Sequence, residues 1–231
     1  MWLLTVSRSP VNKRLIKKAA RYALKAYDED IDGALKIESS TTSTTAYIIE
    51  HARHQYVVFR GTQQARDWIF NLTAFPWRYS GRWVHGGFMM AHRSVWKEIS
   101  SKLDPKKEII FVGHSLGGAL AELSAHCCRF FPNVRLITFG KPNVFVRPSK
   151  AKMKELKSQV SFVCGSDMVA RIPAIGFCPD AGQTMVYFDN WGKTWINPPE
   201  KYVRRDRGIG DAISDHDMAG YYNLTTIFCD S

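Results

Sequence analysis

The stretch Glu108-Ile-Ile-Phe-Val-Gly113-His-Ser115-Leu-Gly117-Gly118 joins a short apolar run to a serine flanked by glycines. Glu108–Val112 has the length and β-branched content of a buried strand, and Leu116–Phe131 predicts a helix. The pattern Gly-x-Ser-x-Gly therefore lies between a strand and a helix, where the serine of a nucleophile elbow occupies a sharp, strained turn. Glycines are required because side chains two positions on either side of the serine would collide.

An alternative interpretation is a glycine-rich turn in which Ser115 merely caps the following helix. The position between an apolar strand and a helix favours the nucleophile instead. A serine at the start of a helix also lies near backbone N–H groups and the positive end of the helix dipole, both of which stabilise developing negative charge. The sequence therefore predicts Ser115 as a nucleophile.

The base is predicted from the order of residues along the chain. In proteins with this elbow the acid follows the serine and the histidine comes last, because successive loops at one sheet edge supply them. Of seven histidines, only His216 follows every candidate acid that lies after the next strands. Its neighbours Asp215 and Asp217 are predicted to be solvated charges, since adjacent residues on a loop seldom face the ring.

The predicted acid is Asp167. It follows the apolar strand Val160–Val163 within a short turn, so its carboxylate would emerge at the strand's C-terminal edge. Asp180 and Asp189 remain alternatives, although their surroundings indicate a loop and a hairpin and neither directly follows a strand of parallel type.

The rest of the chain alternates strands and helices. A strand, a helix and a strand in succession predict a right-handed parallel crossover, whereas the three early strands are expected to be antiparallel neighbours. A hairpin is predicted over Met185–Trp195, and the C-terminal tail is expected to be irregular. The other predicted helices are Val11–Tyr27, Gly87–Leu103 and Ser149–Lys157, and the other strands are Ala34–Glu38, Thr45–Glu50, Tyr56–Arg60, Val134–Phe139 and Gln159–Val163.

Composition predicts one globular domain over residues 1–231, since hydrophobic residues make up 45% and charged residues 23%. The net charge of +11 raises nucleic acid and anionic membranes as partners. Because the sequence shows no aromatic and basic motif that would stack on bases, a nucleic-acid partner is not expected.

Five cysteines form an odd set without metal-ligand spacing, which predicts reduced structural thiols and no metal site. The opening residues lack the pattern of a secretory signal, and no apolar run approaches the roughly 18 residues of a membrane span. A cytoplasmic location is therefore favoured unless the chain is a processed form.

Separated motifs resemble, in order, those of the class 3 lipases of fungi, plants and bacteria. This resemblance implies an α/β-hydrolase fold: a central, mostly parallel sheet with helices on both faces and antiparallel N-terminal strands. The chain departs from the family pattern at Phe145 and Ala170, where glycine and proline are common. The matching segments are Val57–Thr62, Asp67–Ile69, Val84–Phe88, Gly113–Ala121, Thr138–Pro142, Asp167–Val169 and Asp215–His216.

The resemblance also implies further site residues. The hydroxyl of Thr62 and the backbone N–H of Leu116 would form the oxyanion hole, which holds the charged oxygen of a tetrahedral intermediate. The segment 63–75 would correspond to the family's lid, with Trp68 on its apolar face and Asn71 orienting the Thr62 hydroxyl, although Trp68 could equally be a core residue. By the same likeness His85 would be structural.

These observations predict a serine carboxylic ester hydrolase that acts on lipid esters through an acyl-enzyme, without a cofactor. The triad would be Ser115, Asp167 and His216. Phospholipase A1 and soluble short-chain esterase activities remain alternatives, because the same triad serves all three. A non-catalytic lipase-like binding scaffold is the alternative of another class.

Overall fold

The crossover predicted around Ser115 lies in the middle of an eight-stranded sheet. The computed structural model describes residues 12–29, 31–62, 75–146, 156–173, 176–178, 182–206 and 214–231. The strands of this sheet are β1 Leu35–Ser39, β2 Thr44–Glu50, β3 His54–Phe59, β6 Glu108–His114, β7 Val134–Phe139, β9 Ser158–Cys164, β11 Thr184–Phe188 and β12 Thr194–Ile196.

The strand order in the sheet is β1-β2-β3-β6-β7-β9-β11-β12. The five strands from β3 to β11 in this order are parallel, whereas β1, β2 and β12 pair antiparallel. The prediction of a mostly parallel sheet with antiparallel N-terminal strands is therefore confirmed. The predicted hairpin over Met185–Trp195 is confirmed as the pair β11 and β12.

Helices cover both faces of this sheet. Alternate residues of β6 enter different cores: Ile109 and Phe111 face one side, and Ile110 and Val112 face the other. Burial of each such side chain contributes about 1.5–3 kcal/mol, which explains why the central strands are mostly apolar. The helices are α1 Lys13–Lys25, α2 Gly86–Ser101, α3 Leu116–Cys127, α4 Glu200–Asp206 and α5 Met218–Asp230. On the first face lie α2 and α3, and on the second α1 and α5.

The expectation of an irregular C-terminal tail is wrong, because residues 218–230 form α5. Glycine and β-branched residues lower its intrinsic helix propensity, so the composition hides it. Packing stabilises it instead, since Met218 and Tyr221 are buried against the sheet and α1 lies alongside. The Asp217 carboxylate caps its first turn by accepting from the Gly220 amide at 3.1 Å.

A second, four-stranded sheet was not predicted. Its order is β10-β8-β5-β4, and all its neighbouring pairs are antiparallel. The strands have only two to four residues, too few for a period-two pattern to be recognised. They are β4 Pro76–Tyr79, β5 Arg82–His85, β8 Phe145–Val146 and β10 Phe177–Cys178.

Some predicted features lie outside the described residues, namely most of the lid segment, with Trp68 and Asn71, and the greater part of the helix predicted over Ser149–Lys157. The thiols of Cys127, Cys128, Cys164 and Cys229 are free. Within the described ranges, no helix is both long and apolar enough to cross a membrane.

Candidate active site

Ser115 connects β6 to α3 in a strained backbone conformation. Its φ of 55° and ψ of −128° lie where residues other than glycine are rarely found. The Ser115 amide donates to the Phe139 carbonyl at 3.0 Å, which holds the turn against β7. The side chain makes no capping hydrogen bond, so the helix-cap interpretation does not describe its role here. Its buried Oγ has no hydrogen-bond partner among the described residues.

The glycines of the elbow permit close backbone packing, as the sequence analysis predicted. A Cβ on Gly113 would lie 2.2 Å from the Gly117 backbone, and a Cβ on Gly117 would lie 2.2 Å from the Phe59 carbonyl oxygen. The second contact presses the elbow against the end of β3. Any larger residue at either position would therefore displace Ser115.

The carboxylate of Asp167 is fully buried and accepts four hydrogen bonds. It follows the end of β9, where the sequence predicted it. Oδ1 accepts from the amides of Val169 and Ala170 at 2.8 and 3.4 Å. Oδ2 accepts from Nδ1 of His216 at 2.9 Å and from the Tyr221 hydroxyl at 2.6 Å. Proline at position 170 could not supply the second amide.

His216 lies in the short 3₁₀ turn Ser214–His216, immediately before α5. Because a carboxylate oxygen accepts, Nδ1 of His216 carries the hydrogen in its bond to Asp167, so in the neutral form of the ring Nε2 is the nitrogen that can act as a base. This Nε2 is buried without a hydrogen-bond partner in the described part of the chain. The ring centroid lies 4.6 Å from that of His114, the residue before Ser115. The structure thus brings the three predicted triad residues to one edge of the sheet.

Tyr221 is a site residue that sequence reasoning missed. While its hydroxyl donates to Asp167, it accepts from the Cys164 amide at 2.9 Å, which ties α5 to the end of β9. Burial, followed by the neighbouring Asp167 charge, raises the pKa of Tyr221 well above its ordinary value, so the hydroxyl stays protonated as a donor. The available signal was its position five residues after His216, but this required recognition of α5.

Gly140 makes room for the acid and base pair. It follows β7 with a φ of +53°, and a Cβ there would lie 2.7 Å from Asp167 Oδ2 and 3.1 Å from His216 Nδ1. A side chain at this position would thus enter the space occupied by the hydrogen bond between Asp167 and His216.

We therefore expect Gly140→Ala to lower kcat for a soluble ester by about 10²-fold, since displacements near 1 Å at a catalytic group have effects of that size. Gly33→Ala is the matched control, because Gly33 also has a positive φ, +70°, but a Cβ there would meet nothing within 4 Å. Both variants should lose stability through left-handed strain. Equal activity of the two variants would contradict this account of Gly140.

The predicted oxyanion residues flank the elbow. A Cβ on Gly61 would lie 2.7 Å from the His114 carbonyl oxygen, so the turn that carries Thr62 packs against the end of β6. Leu116 is the first residue of α3, and first-turn amides have no carbonyl partner within their own helix.

Asp189, one of the alternative acids, has a structural role. The expectation that it does not follow a parallel strand is wrong, because β11 pairs parallel with β9. Its carboxylate accepts from the amides of Trp191 and Lys193, from Trp195 Nε1 at 2.8 Å and from the Tyr202 hydroxyl at 2.6 Å. Burial alone would raise the pKa of Asp189, but these hydrogen bonds lower it. Asp180 lies outside the described residues.

The prediction that Asp215 is a solvated charge is wrong, because its carboxylate bonds to the backbone of another turn, whereas Asp217 is exposed, as predicted. Asp215 Oδ2 accepts from the Ser166 amide at 2.7 Å, which ties the residue before His216 to the residue before Asp167. Asp217 caps α5. Asp215 makes its bond because the turn carrying His216 folds back onto the turn carrying Asp167, whereas Asp217 bonds to the first turn of its own helix.

His85 packs among aromatic rings. Its ring centroid lies 4.3 Å from that of Phe88 and 5.5 Å from that of Phe177. Burial lowers the pKa of His85 to about 4, so the ring is neutral near pH 7. This environment supports a structural role.

A buried ion pair involves α3, the helix that follows Ser115. Nζ of Lys141 is 3.1 Å from Oε2 of Glu122, and both side chains are almost wholly buried. Lys141 also packs closely against the first turn of α3. A Cβ added to Gly118 would lie only 2.6 Å from the Cβ of Lys141. The pair connects the segment after β7 to α3, and no pattern in the sequence predicted it.

Comparison with known proteins supports this fold. A family model described as lipase (class 3) matches residues 56–177, just over half of the chain. The solved structure of Rhizomucor miehei triacylglyceride lipase superposes with a TM-score of 0.69, covering 94% of each chain at 21% identity.

Curated relatives match over parts of their length. A Rhizomucor miehei lipase is 42% identical over 79 residues, covering 30% of this chain and 22% of the relative. A secreted mono- and diacylglycerol lipase of Penicillium cyclopium is 26% identical over 175 residues, covering 70% and 55%. A chloroplastic phospholipase A(1) of Arabidopsis thaliana is 27% identical over 153 residues, covering 53% and 34%. The chain thus spans about half or less of the length of these relatives.

The fold is that of the α/β-hydrolases. Its features are a mostly parallel sheet, a serine in a sharp turn between strand and helix, and an acid and a histidine that follow the serine in chain order. Within that class, the chain belongs to the class 3 lipase family. The resemblance seen in the sequence motifs is thereby confirmed.

Proposed function

We propose that this protein hydrolyses carboxylic esters of lipids, with Ser115 as nucleophile, His216 as general base and Asp167 as the acid that orients it. One observation carries this proposal: Asp167 Oδ2 lies 2.9 Å from His216 Nδ1, which leaves Nε2 as a base beside the strained elbow of Ser115. The relatives named as lipases support the same reaction class.

The reaction proceeds by two acyl transfers. His216 Nε2 takes the proton of the Ser115 hydroxyl as Oγ attacks the ester carbonyl carbon, forming a tetrahedral intermediate. Collapse of this intermediate breaks the bond to the alcohol oxygen, which receives the proton from His216. Water then loses a proton to His216 and attacks the acyl-enzyme, and the second collapse releases the fatty acid and restores Ser115.

The positive charge that forms on His216 is stabilised by the Asp167 carboxylate. The hydrogen bonds from Tyr221 and the Val169 amide hold that carboxylate in place. On the substrate side, negative charge on the carbonyl oxygen would be held by the Leu116 amide and the Thr62 hydroxyl, a role supported by the position of Leu116 in the elbow and by the packing of Gly61, next to Thr62, against the end of β6.

We expect Thr62→Val to lower kcat by about 10²–10³-fold with little change in KM, as for other oxyanion-hole donors. Thr62→Ser should retain most activity because it keeps the hydroxyl. The measurement is steady-state hydrolysis of p-nitrophenyl butyrate by both variants. Equal losses in the serine and valine variants would exclude a donor role for this hydroxyl.

A lipid substrate is supported by apolar side chains at the catalytic edge of the sheet. The last turn of α2 lies near the start of β6, because the chain passes from one to the other. The first turn of α2 therefore lies near the opposite end of β6, which is the edge of the sheet where Ser115 lies. Trp77 packs against that turn and is 55% exposed, Met90 on the next turn is 62% exposed, and Met168, directly after Asp167, is 54% exposed. Exposed apolar groups around a site are typical of surfaces that meet lipid.

Hydrolysis of p-nitrophenyl esters from acetate to palmitate, with and without an emulsion, tests the proposal. The wild type should favour long chains and gain rate at the interface, while Ser115→Ala stays inactive in every assay. A preference for acetate with no gain in emulsion would assign a soluble short-chain esterase. Absence of hydrolysis with every ester would favour the non-catalytic scaffold.

Phospholipase A1 activity is a second candidate, favoured by the Arabidopsis relative and by the net charge of +11. A basic protein concentrates on anionic membranes. Fatty acid released from the sn-1 position of phosphatidylglycerol vesicles, faster than from a tributyrin emulsion, would support it. Activity on tributyrin alone would exclude it.

A further inference from the structure

The two ring nitrogens of His114 join the end of the nucleophile strand to two partners, Tyr27 and the turn that carries the base. The residue is buried at the end of β6, directly before Ser115. Nδ1 lies 2.6 Å from the Tyr27 hydroxyl, and Nε2 lies 2.9 Å from the backbone carbonyl oxygen of His216. No step of the proposed reaction uses this ring, although it packs against the ring of His216.

The two bonds of His114 specify where its hydrogen lies. A carbonyl oxygen only accepts, so Nε2 must carry the hydrogen that bonds to His216. Burial, followed by the neighbouring His216, lowers the pKa of His114 well below its ordinary value, so the ring is neutral. In a neutral ring Nδ1 is then an acceptor, and the Tyr27 hydroxyl must donate to it. Burial raises the pKa of Tyr27, which keeps that hydroxyl protonated.

His216 is consequently held at two points. Asp167 bonds to its side chain and His114 bonds to its main-chain carbonyl. If the His114 ring carried its hydrogen on Nδ1, two lone pairs would face each other at the His216 carbonyl, and the turn carrying the base would move. A charged His114 would in turn repel the imidazolium that forms on His216 during the reaction.

The position of Tyr27 depends on a glycine. Tyr27 follows the end of α1, and its hydroxyl oxygen would lie only 2.1 Å from a Cβ on Gly61. The hydroxyl thus lies where the turn carrying Thr62, the end of β6 and the base meet.

We infer that Tyr27 is a positioning residue for the proposed hydrolysis: by donating to Nδ1 its hydroxyl stabilises the tautomer of His114 with hydrogen on Nε2, which the His216 carbonyl requires, and His114 thereby holds the backbone of His216 in line with Ser115 and Asp167. The inference rests on the proposed function for its effect on rate, but the tautomer itself is observable without any substrate.

The first test is the tautomer. ¹⁵N NMR of histidine-labelled wild type, with His114→Gln used to assign the signal, should show His114 protonated on Nε2 alone. In Tyr27→Phe the same ring should sample both tautomers. A wild-type ring protonated on Nδ1, or an unchanged tautomer in Tyr27→Phe, would overturn the inference.

The second test is kinetic and uses a double-variant cycle. Tyr27→Phe should lower kcat about 10-fold with KM unchanged, a coupling of the size found between residues in contact. His114→Gln keeps an N–H near the Nε2 position, and an amide has no tautomer to set. In that background, Tyr27→Phe should change kcat by less than about twofold, because the two effects are not additive.

Equal losses from Tyr27→Phe in both backgrounds would mean that the tyrosine acts only through packing, which contradicts the inference. Tyr22→Phe is the matched control, since it removes the hydroxyl of a tyrosine on α1, the helix just before Tyr27, and that hydroxyl bonds at 3.0 Å to Nε2 of another histidine, His51. Its kcat should equal that of the wild type. If the wild type hydrolyses no ester, the proposed function fails while the NMR test still decides the tautomer.

Discussion

Ser115→Ala is expected to lower kcat for ester hydrolysis by about 10⁶-fold, because removal of the nucleophile in a serine triad has an effect of that order. Residual rate would come from binding and from the oxyanion donors alone. The fold should be unaffected, since alanine is smaller and the Ser115 hydroxyl bonds to no described group. The measurement is hydrolysis of p-nitrophenyl butyrate, with thermal unfolding to confirm that the variant is folded.

Ser94→Ala provides the control for this experiment. Ser94 lies on α2, where its hydroxyl bonds to Thr42 at 2.6 Å, and it has no place in the proposed reaction. Its kcat should equal that of the wild type. A loss of only a few-fold in Ser115→Ala would mean that another group performs the attack.

Asp167→Asn is expected to lower kcat by about 10⁴-fold, the effect of the equivalent change in other serine triads. The new amide can donate a hydrogen to His216 Nδ1, which favours the ring tautomer with hydrogen on Nε2. That nitrogen could then no longer accept the proton of Ser115. The measurement is the kcat of the purified variant on the same soluble ester.

The matched control is Asp189→Asn, at a second carboxylate that lies after the end of a parallel strand. Because Asp189 accepts several hydrogen bonds in its own turn, this variant should lose stability while keeping kcat within about threefold. A large loss of kcat in Asp189→Asn together with an active Asp167→Asn would reverse the assignment of the acid.

The elbow was predictable because it depends on local backbone packing. The order of the site residues was predictable because it follows from the order of the strands in this kind of fold. At positions 113 and 117 the backbone packs too closely for any side chain, so glycine is required at both. A requirement for glycine is visible in the sequence itself. Chain order then restricted the base to His216. The long apolar strands are equally visible, since burial on both faces requires a continuous apolar run.

The surroundings of the triad were not predictable in the same way. Tyr221 reaches Asp167 only because α5 packs on α1, and its sequence has weak helix propensity. Tyr27 and His114 are separated by 87 residues. Such contacts depend on tertiary packing, and no local sequence pattern predicts them.

The surroundings of two other aspartates, Asp189 and Asp215, also depend on tertiary packing and were not predicted. Asp189 was set aside because its strand was taken as part of a hairpin alone, whereas β11 pairs with β9 on one side and β12 on the other. Likewise, Asp215 has no local signal for its bond to the Ser166 amide, 49 residues away. The sequence therefore points to the proposed reacting groups more directly than to the groups that hold them in place.

Covalent labelling tests the central claim most directly. A fluorophosphonate reacts with a serine hydroxyl only when a neighbouring base activates it and the oxyanion is stabilised. Intact mass should show one adduct for each chain, and peptide mapping should place it on Ser115, with the reaction absent in Ser115→Ala and strongly slowed in Asp167→Asn. A folded wild-type chain that forms no adduct, or forms it at another residue, would contradict the account.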